Sequence, residues 1–320
     1  MQNRKLNAVS SPSPKLPVIV IVGPTASGKT TIAIELANRI QAEIISADSR
    51  QFYQMLDIGT AKPGPEELAR AIHHFIDFLP PSAEYSAGAF ARDARARIAE
   101  LQQSKNLIVA GGSGMYITAL LDGFFAPIAR DKALQNKLKV RAEREGSEVL
   151  YAELQAVDPE RAAELHPNDT HRIVRALEVC YVTGKRISTL RSQPRVPADF
   201  QFKVFGLQWS RDELYVRIES RVDAMLEAGL QAEVESLLRC GVVPTANAMQ
   251  TVGYREMVSF LKSECSLDEA VEKIKQHSRN YAKRQMTWFR KDTRICWLEV
   301  NEANFAEIPH AILEFFKITA

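Results

Sequence analysis

The sequence lacks the markers of several protein classes. Its four cysteines (Cys180, Cys240, Cys265 and Cys296) lie far apart with no C-x-x-C pair, which argues against a zinc site and a disulfide framework. No stretch approaches the roughly 18 uninterrupted apolar residues of a membrane span. Neither sign of charge dominates: 41 Lys and Arg stand against 39 Asp and Glu, a formal net charge of +2. The chain is therefore no polycation, and any nucleic-acid surface must be a local patch. No internal repeat is present. Residues 1–16 are polar, with Ser10, Ser11, Pro12, Ser13 and Pro14, and lack the apolar centre of a secretory signal. They read as a flexible tail, and a monomeric, cytoplasmic protein is the expectation.

What is present is an ordinary globular composition, 46% hydrophobic and 25% charged over 320 residues. That length suits two domains, or one core with a large insertion. Val18 to Val22 is a continuous β-branched run, the mark of a strand buried on both faces of a parallel sheet. A helix with Ile32, Leu36 and Ile40 on one side follows, then short strands at Ile44–Ser46 and Leu107–Ala110 separated by an Ala-rich helix. This rhythm predicts an α/β fold with a parallel sheet. It stops near Ile128, where helical patterning takes over as far as Pro197. Strands return at Val204–Leu207 and Ile295–Leu298, with a capping box at Ser210 and Glu213 between them. The expected organisation is a tail over 1–16, a first core segment over 17–127, a helical insertion over 128–197 and a second core segment over 198–320.

Gly23-Pro24-Thr25-Ala26-Ser27-Gly28-Lys29-Thr30 matches G-x-x-x-x-G-K-[ST] in full, leaving a buried strand and opening a helix. Such a loop curls backbone N–H groups around phosphate oxygens at a helix N-terminus. Lys29 would reach the same oxygens, and the Thr30 hydroxyl is placed to ligate Mg²⁺. A P-loop ATPase also needs an acid at the end of a later strand to hold its metal. Here the strand from Leu107 ends in Gly111-Gly112-Ser113-Gly114, with no carboxylate. The acid sits at Asp48, at the tip of the second strand, near the phosphate loop and available as a general base. Its bland alternative is a turn cap.

Two basic patches follow. His171, Arg172 and Arg175 share a helix side after Pro167, with Glu178 available to neutralise Arg175. Between Lys273 and Lys291 there is no acidic residue, and Lys275, Arg279, Lys283 and Arg290 fall near one stripe. Val271, Ile274, Tyr281 and Trp288 lie elsewhere on that wheel, expected to face a core. A stripe of one sign suits an anionic partner such as a nucleic-acid backbone, unless acids elsewhere in the chain pair with it.

With these residues in hand, the sequence resembles the tRNA dimethylallyltransferase (tRNA isopentenyltransferase) family, of bacterial type because no Cys/His finger is appended. Ordered blocks carry the resemblance: the phosphate loop, Ser46 to Tyr53, Asp57 to Pro63, Gly111 to Tyr116, His166 to Asp169, Arg172 to Glu178, Val252 to Glu256 and Tyr281 to Arg290. It implies a P-loop nucleoside-triphosphate-hydrolase-like core. It also implies transfer of a dimethylallyl group from its diphosphate to the exocyclic amine of an adenosine beside a tRNA anticodon. The loop would hold the diphosphate, Lys29 and Mg²⁺ on Thr30 would absorb its charge, and Asp48 would take the amine proton. Resemblance further assigns Asp48, Ser49, Arg50, Gln51 and Ser113 to an adenosine flipped from its stack, and Arg217 to the diphosphate. His171, Arg172, Ile173, Val174 and Arg175, with Gln250, Thr251, Val252, Gly253, Tyr254 and Arg255, would grip the anticodon arm, as would Arg279, Lys283 and Arg290. Ser113 stands where Thr is usual, His171 where Gln is common, and Gln135 where an Arg often contacts tRNA. Two other readings share some of these features: a P-loop small-molecule or nucleotide kinase, and an RNA-binding protein with a nucleotide switch.

Overall fold

A computed structural model describes residues 16–124 and 130–318. In chain order the elements begin with β1 (Val18–Val22), α1 (Lys29–Ile40), β2 (Ala42–Ser46), α2 (Pro65–Arg70) and β3 (His73–His74). Next come α3 (Ala87–Leu101), β4 (Asn106–Gly111) and α4 (Gly114–Asp122), then five helices. These are α5 (Lys132–Glu145), α6 (Ser147–Val157), α7 (Pro159–Ala163), α8 (Thr170–Thr183) and α9 (Ile187–Arg191). The chain ends with β5 (Phe202–Trp209), α10 (Arg211–Glu227), α11 (Leu230–Arg239), α12 (Tyr254–Leu261), α13 (Leu267–Phe289), β6 (Ile295–Val300) and α14 (Ile308–Ile318).

The chain forms two compact units. The first takes in 16–86, 93–117 and 199–318 of the described residues, and the second 87–92, 118–124 and 130–198. The boundary expected at 127/128 lies outside the described residues, as does the tail apart from Leu16.

The first unit carries a six-stranded sheet in the order β3-β2-β4-β1-β5-β6, parallel at every pairing. The expected α/β fold is therefore present. Every residue of β1 is buried, as a strand covered on both faces must be. Ile19, Ile21, Phe205 and Leu207 pack with Ile32 and Leu36 of α1 and Ile312 of α14 in one core. β1 lies between β4 and β5, in register Val20 to Val109 and Val20 to Val204. The carboxyl ends of β1, β2 and β4 deliver, in turn, the phosphate loop, Asp48 and the glycine run at 111–114. A ligand crevice forms outside strand ends of this kind.

A separate core in the second unit joins Leu138, Leu150, Leu154, Ile173, Val174 and Leu177. Glu178, fully buried, accepts from the Asp131 amide (2.7 Å), Gln135 Nε2 (2.7 Å) and Arg175 Nη1 (2.6 Å). It thereby joins the start of α5 to α8. Glu178→Ala leaves these donors without their carboxylate and should destabilise this unit by about 2–4 kcal/mol. Urea denaturation checks this; an unchanged midpoint would reduce the carboxylate to a bystander.

Candidate active site

The phosphate loop is shaped by what packs around it. Gly28 sits at φ 82°, left-handed, and a Cβ there would stand 2.5 Å from the Phe305 ring. Only glycine meets both conditions without strain. Trp209 Nε1 donates to the Ser27 carbonyl at 3.1 Å, and Ser27 is wholly buried. Gly23, Pro24 and Ser27 are buried, whereas Thr25, Ala26, Gly28, Lys29 and Thr30 line a cavity of about 940 Å³.

Lys29 folds back on its own loop, donating to Pro24 O at 2.6 Å. Burial first, and the Arg221 guanidinium second, lower its pKa to about 7, against the opposing pull of Asp48. Arg221 also lines the cavity and donates to Thr25 Oγ1 at 3.2 Å, and burial lowers its own pKa. Arg217, one turn earlier on α10, donates to Ala26 O at 3.0 Å and lies 4.2 Å over the Trp209 ring. Its charge is shared with Glu302 at 2.5 Å. Three cations thus border one loop.

Asp48 lines the same cavity. Its Oδ1 accepts the Arg50 amide at 2.9 Å, the turn cap that the residue type allows, while Oδ2 has no hydrogen bond among the described residues. Ser49 and Arg50 line the cavity beside it. Arg50 reaches Asn247 O at 2.9 Å. Gln51 is buried and donates to the Thr60 and Ala61 carbonyls, so it fastens the loop after Asp57. Ser113 Oγ accepts the Ser49 amide at 3.0 Å. Tyr281, half-buried near Asp48, has its phenol pKa pushed up to about 12 by desolvation and by that carboxylate.

Some expected tRNA contacts are structural instead. The side chains of Ile173 and Val174 point into the core of the second unit, and Arg175 and Gln135 are held by Glu178. His171 and Arg172 remain exposed on that helix. Tyr254 is fully buried, and its phenol donates to Glu233, whose carboxylate also receives the amides of Asp57, Ile58 and Gly59. The Gly253 amide caps α12 against Glu256, which also holds Arg255 and His277. Gln250, Thr251, Val252 and Arg255 line the cavity.

The acid-free run on α13 is not an acid-free surface. Arg279 pairs with Glu219 at 2.5 Å and Lys275 with Asp223 at 2.7 Å, both acids on α10. Lys283 and Arg290 are exposed with no carboxylate partner among the described residues. Of the four side chains expected to face a core, Ile274 does; Val271 is half-buried, Tyr281 lines the cavity, and Trp288 is 43% exposed.

At the end of β4, a Cβ on Gly111 would stand 2.3 Å from Ala47 O. Backbone packing leaves no room there for a metal-binding acid. The profile of the IPP transferase family matches residues 51–292. The chain belongs to that family. It is 48% identical to "tRNA dimethylallyltransferase 2" of Geotalea uraniireducens over 305 residues, covering 94% of this chain and 98% of that protein. The crystal structure of the tRNA isopentenylpyrophosphate transferase of Bacillus halodurans is similar at TM-score 0.70 and 35% identity, covering 95% and 96% of the two chains. A eukaryotic dimethylallyltransferase described as acting on tRNA reaches TM-score 0.76 at 27% identity, covering 93% of this chain and 77% of that one. The resemblance carried by the motifs therefore holds.

Two further cavity residues are Arg221, not among the expected site residues, and Tyr281, which the helical wheel assigns to a core. Their signal is helical spacing: Arg221 follows Arg217 by four, and Tyr281 precedes Gln285 by four, so each pair shares a face.

The Lys29 shift fixes a pH dependence. The fold favours neutral Lys29, so between about 7 and 10.5 the unfolded chain binds more protons than the folded one. Stability from this group therefore rises with pH across that window. Lys29→Met removes the titration, so the stability difference should move in favour of the wild type from pH 7 to pH 10. A pH-independent difference in denaturation midpoints would mean an ordinary, solvated lysine.

Proposed function

We propose that the chain transfers a dimethylallyl group from dimethylallyl diphosphate to the exocyclic amine of an adenosine beside a tRNA anticodon, releasing diphosphate. The observation that carries this reading is one cavity lined by Lys29, Arg221 and Asp48, the carboxylate near enough for its charge to act on both cations, with no acid at the end of β4. The diphosphate lies on the phosphate loop, where Lys29, Arg221 and the loop amides meet charge that grows as the carbon–oxygen bond breaks. Arg217 contributes less, because Glu302 already shares its charge. Asp48 takes the amine proton as the new carbon–nitrogen bond forms, which matters because an aromatic amine is a weak nucleophile. An adenine amine inside stacked RNA is out of reach, so the base is extruded into the cavity beside Ser49 and Arg50.

Mg²⁺ fits this donor set. Thr30 lines the cavity, and among the described residues its hydroxyl has no hydrogen bond and no cluster of three His, Cys, Asp or Glu competes for a metal. One hydroxyl plus substrate phosphates and water is the usual environment of this ion. When bound, it supplies further positive charge to the leaving group.

A kinase would need to hold a metal for γ-phosphate transfer, and the Gly111 packing speaks against the usual acid. No helix among the described residues is long and apolar enough to cross a membrane. The reaction itself places the enzyme where tRNA is, the cytoplasm.

Product analysis tests the reading. Incubated with unmodified tRNA, Mg²⁺ and dimethylallyl diphosphate, the protein should yield adenosine heavier by one dimethylallyl group. ATP consumption with a small acceptor and no such product would favour the kinase. Asp48→Ala should lower turnover by about 10²–10⁴-fold with tRNA affinity little changed. Near-normal turnover would return Asp48 to capping its turn.

The RNA side has a different signature. Lys283→Ala and Arg290→Ala should each weaken tRNA binding and reduce its salt slope by up to about one unit, with turnover at saturating tRNA retained. Arg279→Ala, already paired with Glu219, should leave that slope unaltered. A slope unaltered from the wild type in all three variants would remove tRNA from this face.

A further inference from the structure

Gln285 has no part in the chemistry above, yet it is nearly the most enclosed polar side chain near the cavity, at 5% exposure. Its Oε1 accepts the Thr25 amide of the phosphate loop at 2.8 Å. Its Nε2 donates to the Gly112 carbonyl, also at 2.8 Å. The fit is close: a Cβ on Gly112 would stand 2.3 Å from Nε2. The residue after Gly112 is Ser113, whose Oγ accepts the Ser49 amide and reaches Ser49 Oγ at 3.1 Å. Ser49 is bonded in sequence to Asp48. A continuous path therefore runs from the phosphate loop through the Gln285 carboxamide and the 112–113 peptide to the residue beside the carboxylate.

We infer that Gln285 is a positioning residue, one that sets the loop holding the leaving group against the strand tip holding the base. This rests on the dimethylallyl transfer proposed above. The chemistry of the side chain is specific. Its partners are an N–H and a C=O, and a carboxamide is the neutral group that accepts from one and donates to the other. A carboxylate would turn a lone pair on the Gly112 carbonyl, and an aliphatic chain would leave two buried backbone groups unpaired. The diphosphate and the amine proton are held by separate segments of chain, so their relative placement depends on what ties those segments together. A displacement of about 1 Å is enough to cost on the order of 10²-fold in rate.

The test uses Gln285→Met, which keeps the length without either hydrogen bond, Gln285→Glu, which keeps only the acceptor, Ser113→Ala, and the Gln285→Met/Ser113→Ala double variant. Each is assayed for kcat at saturating tRNA and dimethylallyl diphosphate, for tRNA affinity, and for binding of inorganic diphosphate by calorimetry, below its melting temperature. The expected result for Gln285→Met is a kcat lower by roughly 30–100-fold. Its tRNA affinity should stay within about twofold and its diphosphate affinity within about threefold of the wild type, since neither ligand's own contacts are removed. Ser113→Ala should also lower kcat, and the double variant should be about as slow as the slower single one, because both cut one path.

A melting temperature that drops while kcat stays at the wild-type value would make Gln285 a strut of the fold and overturn the inference. So would losses in the double variant that multiply. Should Gln285→Met fail to fold, a folded Gln285→Glu with wild-type kcat overturns it equally, and one with lowered kcat and intact diphosphate affinity supports it. A wild-type protein that transfers no dimethylallyl group would sink the underlying reading, a result separate from an active wild type beside an unimpaired Gln285→Met.

Discussion

The structure depends on a concentration of positive charge that the protein alone does not neutralise. Lys29 and Arg221 stand in one cavity with Asp48, and toward Arg221 also Glu67, as nearby counter-charges, and burial works against both cations. Two like charges out of bulk water repel each other and lose hydration. Burial and the Arg221 charge answer part of this by lowering the Lys29 pKa to about 7. A diphosphate bound as proposed would relieve the rest, which suits the cavity to an anion whose charge increases during reaction.

Holding that arrangement falls to groups that pack and hydrogen-bond around the loop and the strand ends. Trp209 and Phe305 pack the back of the phosphate loop, and Glu233 gathers the amides of Asp57 to Gly59 under the buried Tyr254. Gln285 ties the loop to the end of β4. The sheet supplies the rigid base for all of them: β1, β2 and β4 end side by side, so three separate stretches of sequence reach one crevice. Asp48 costs little to place, because its strand is paired with β4 along its whole length.

Much of this is legible in the sequence, and where it is not the reason is physical. A β-branched run before a glycine loop announces β1 and the phosphate cradle, because few other contexts bury such a run. Asp48 is readable because a strand tip in a parallel sheet has a known direction. Arg221 shows in the sequence only as a helical neighbour of Arg217, because its role depends on α10 lying against the phosphate loop. The same limit misdirects the α13 stripe: counting acids within the helix cannot reveal Glu219 and Asp223 on another. Ile173 and Val174 sit inside a motif that shares residues between two tasks, since α8 presents His171 and Arg172 outward while its apolar side builds a core. A motif marks a segment, and the helical face decides what each member does.

The central claim is that burial holds the Lys29 pKa down to about 7 and that a bound anion raises it. Calorimetric titration with inorganic diphosphate at pH 8, in buffers of differing ionisation enthalpy, measures the protons exchanged. Relative to Lys29→Met, the wild type should take up roughly half a proton or more per site, given a group poised at about 7 that is drawn upward by the ligand. Identical proton exchange in the two proteins would contradict the account, leaving Lys29 charged throughout and the cavity without the unrelieved repulsion on which it rests.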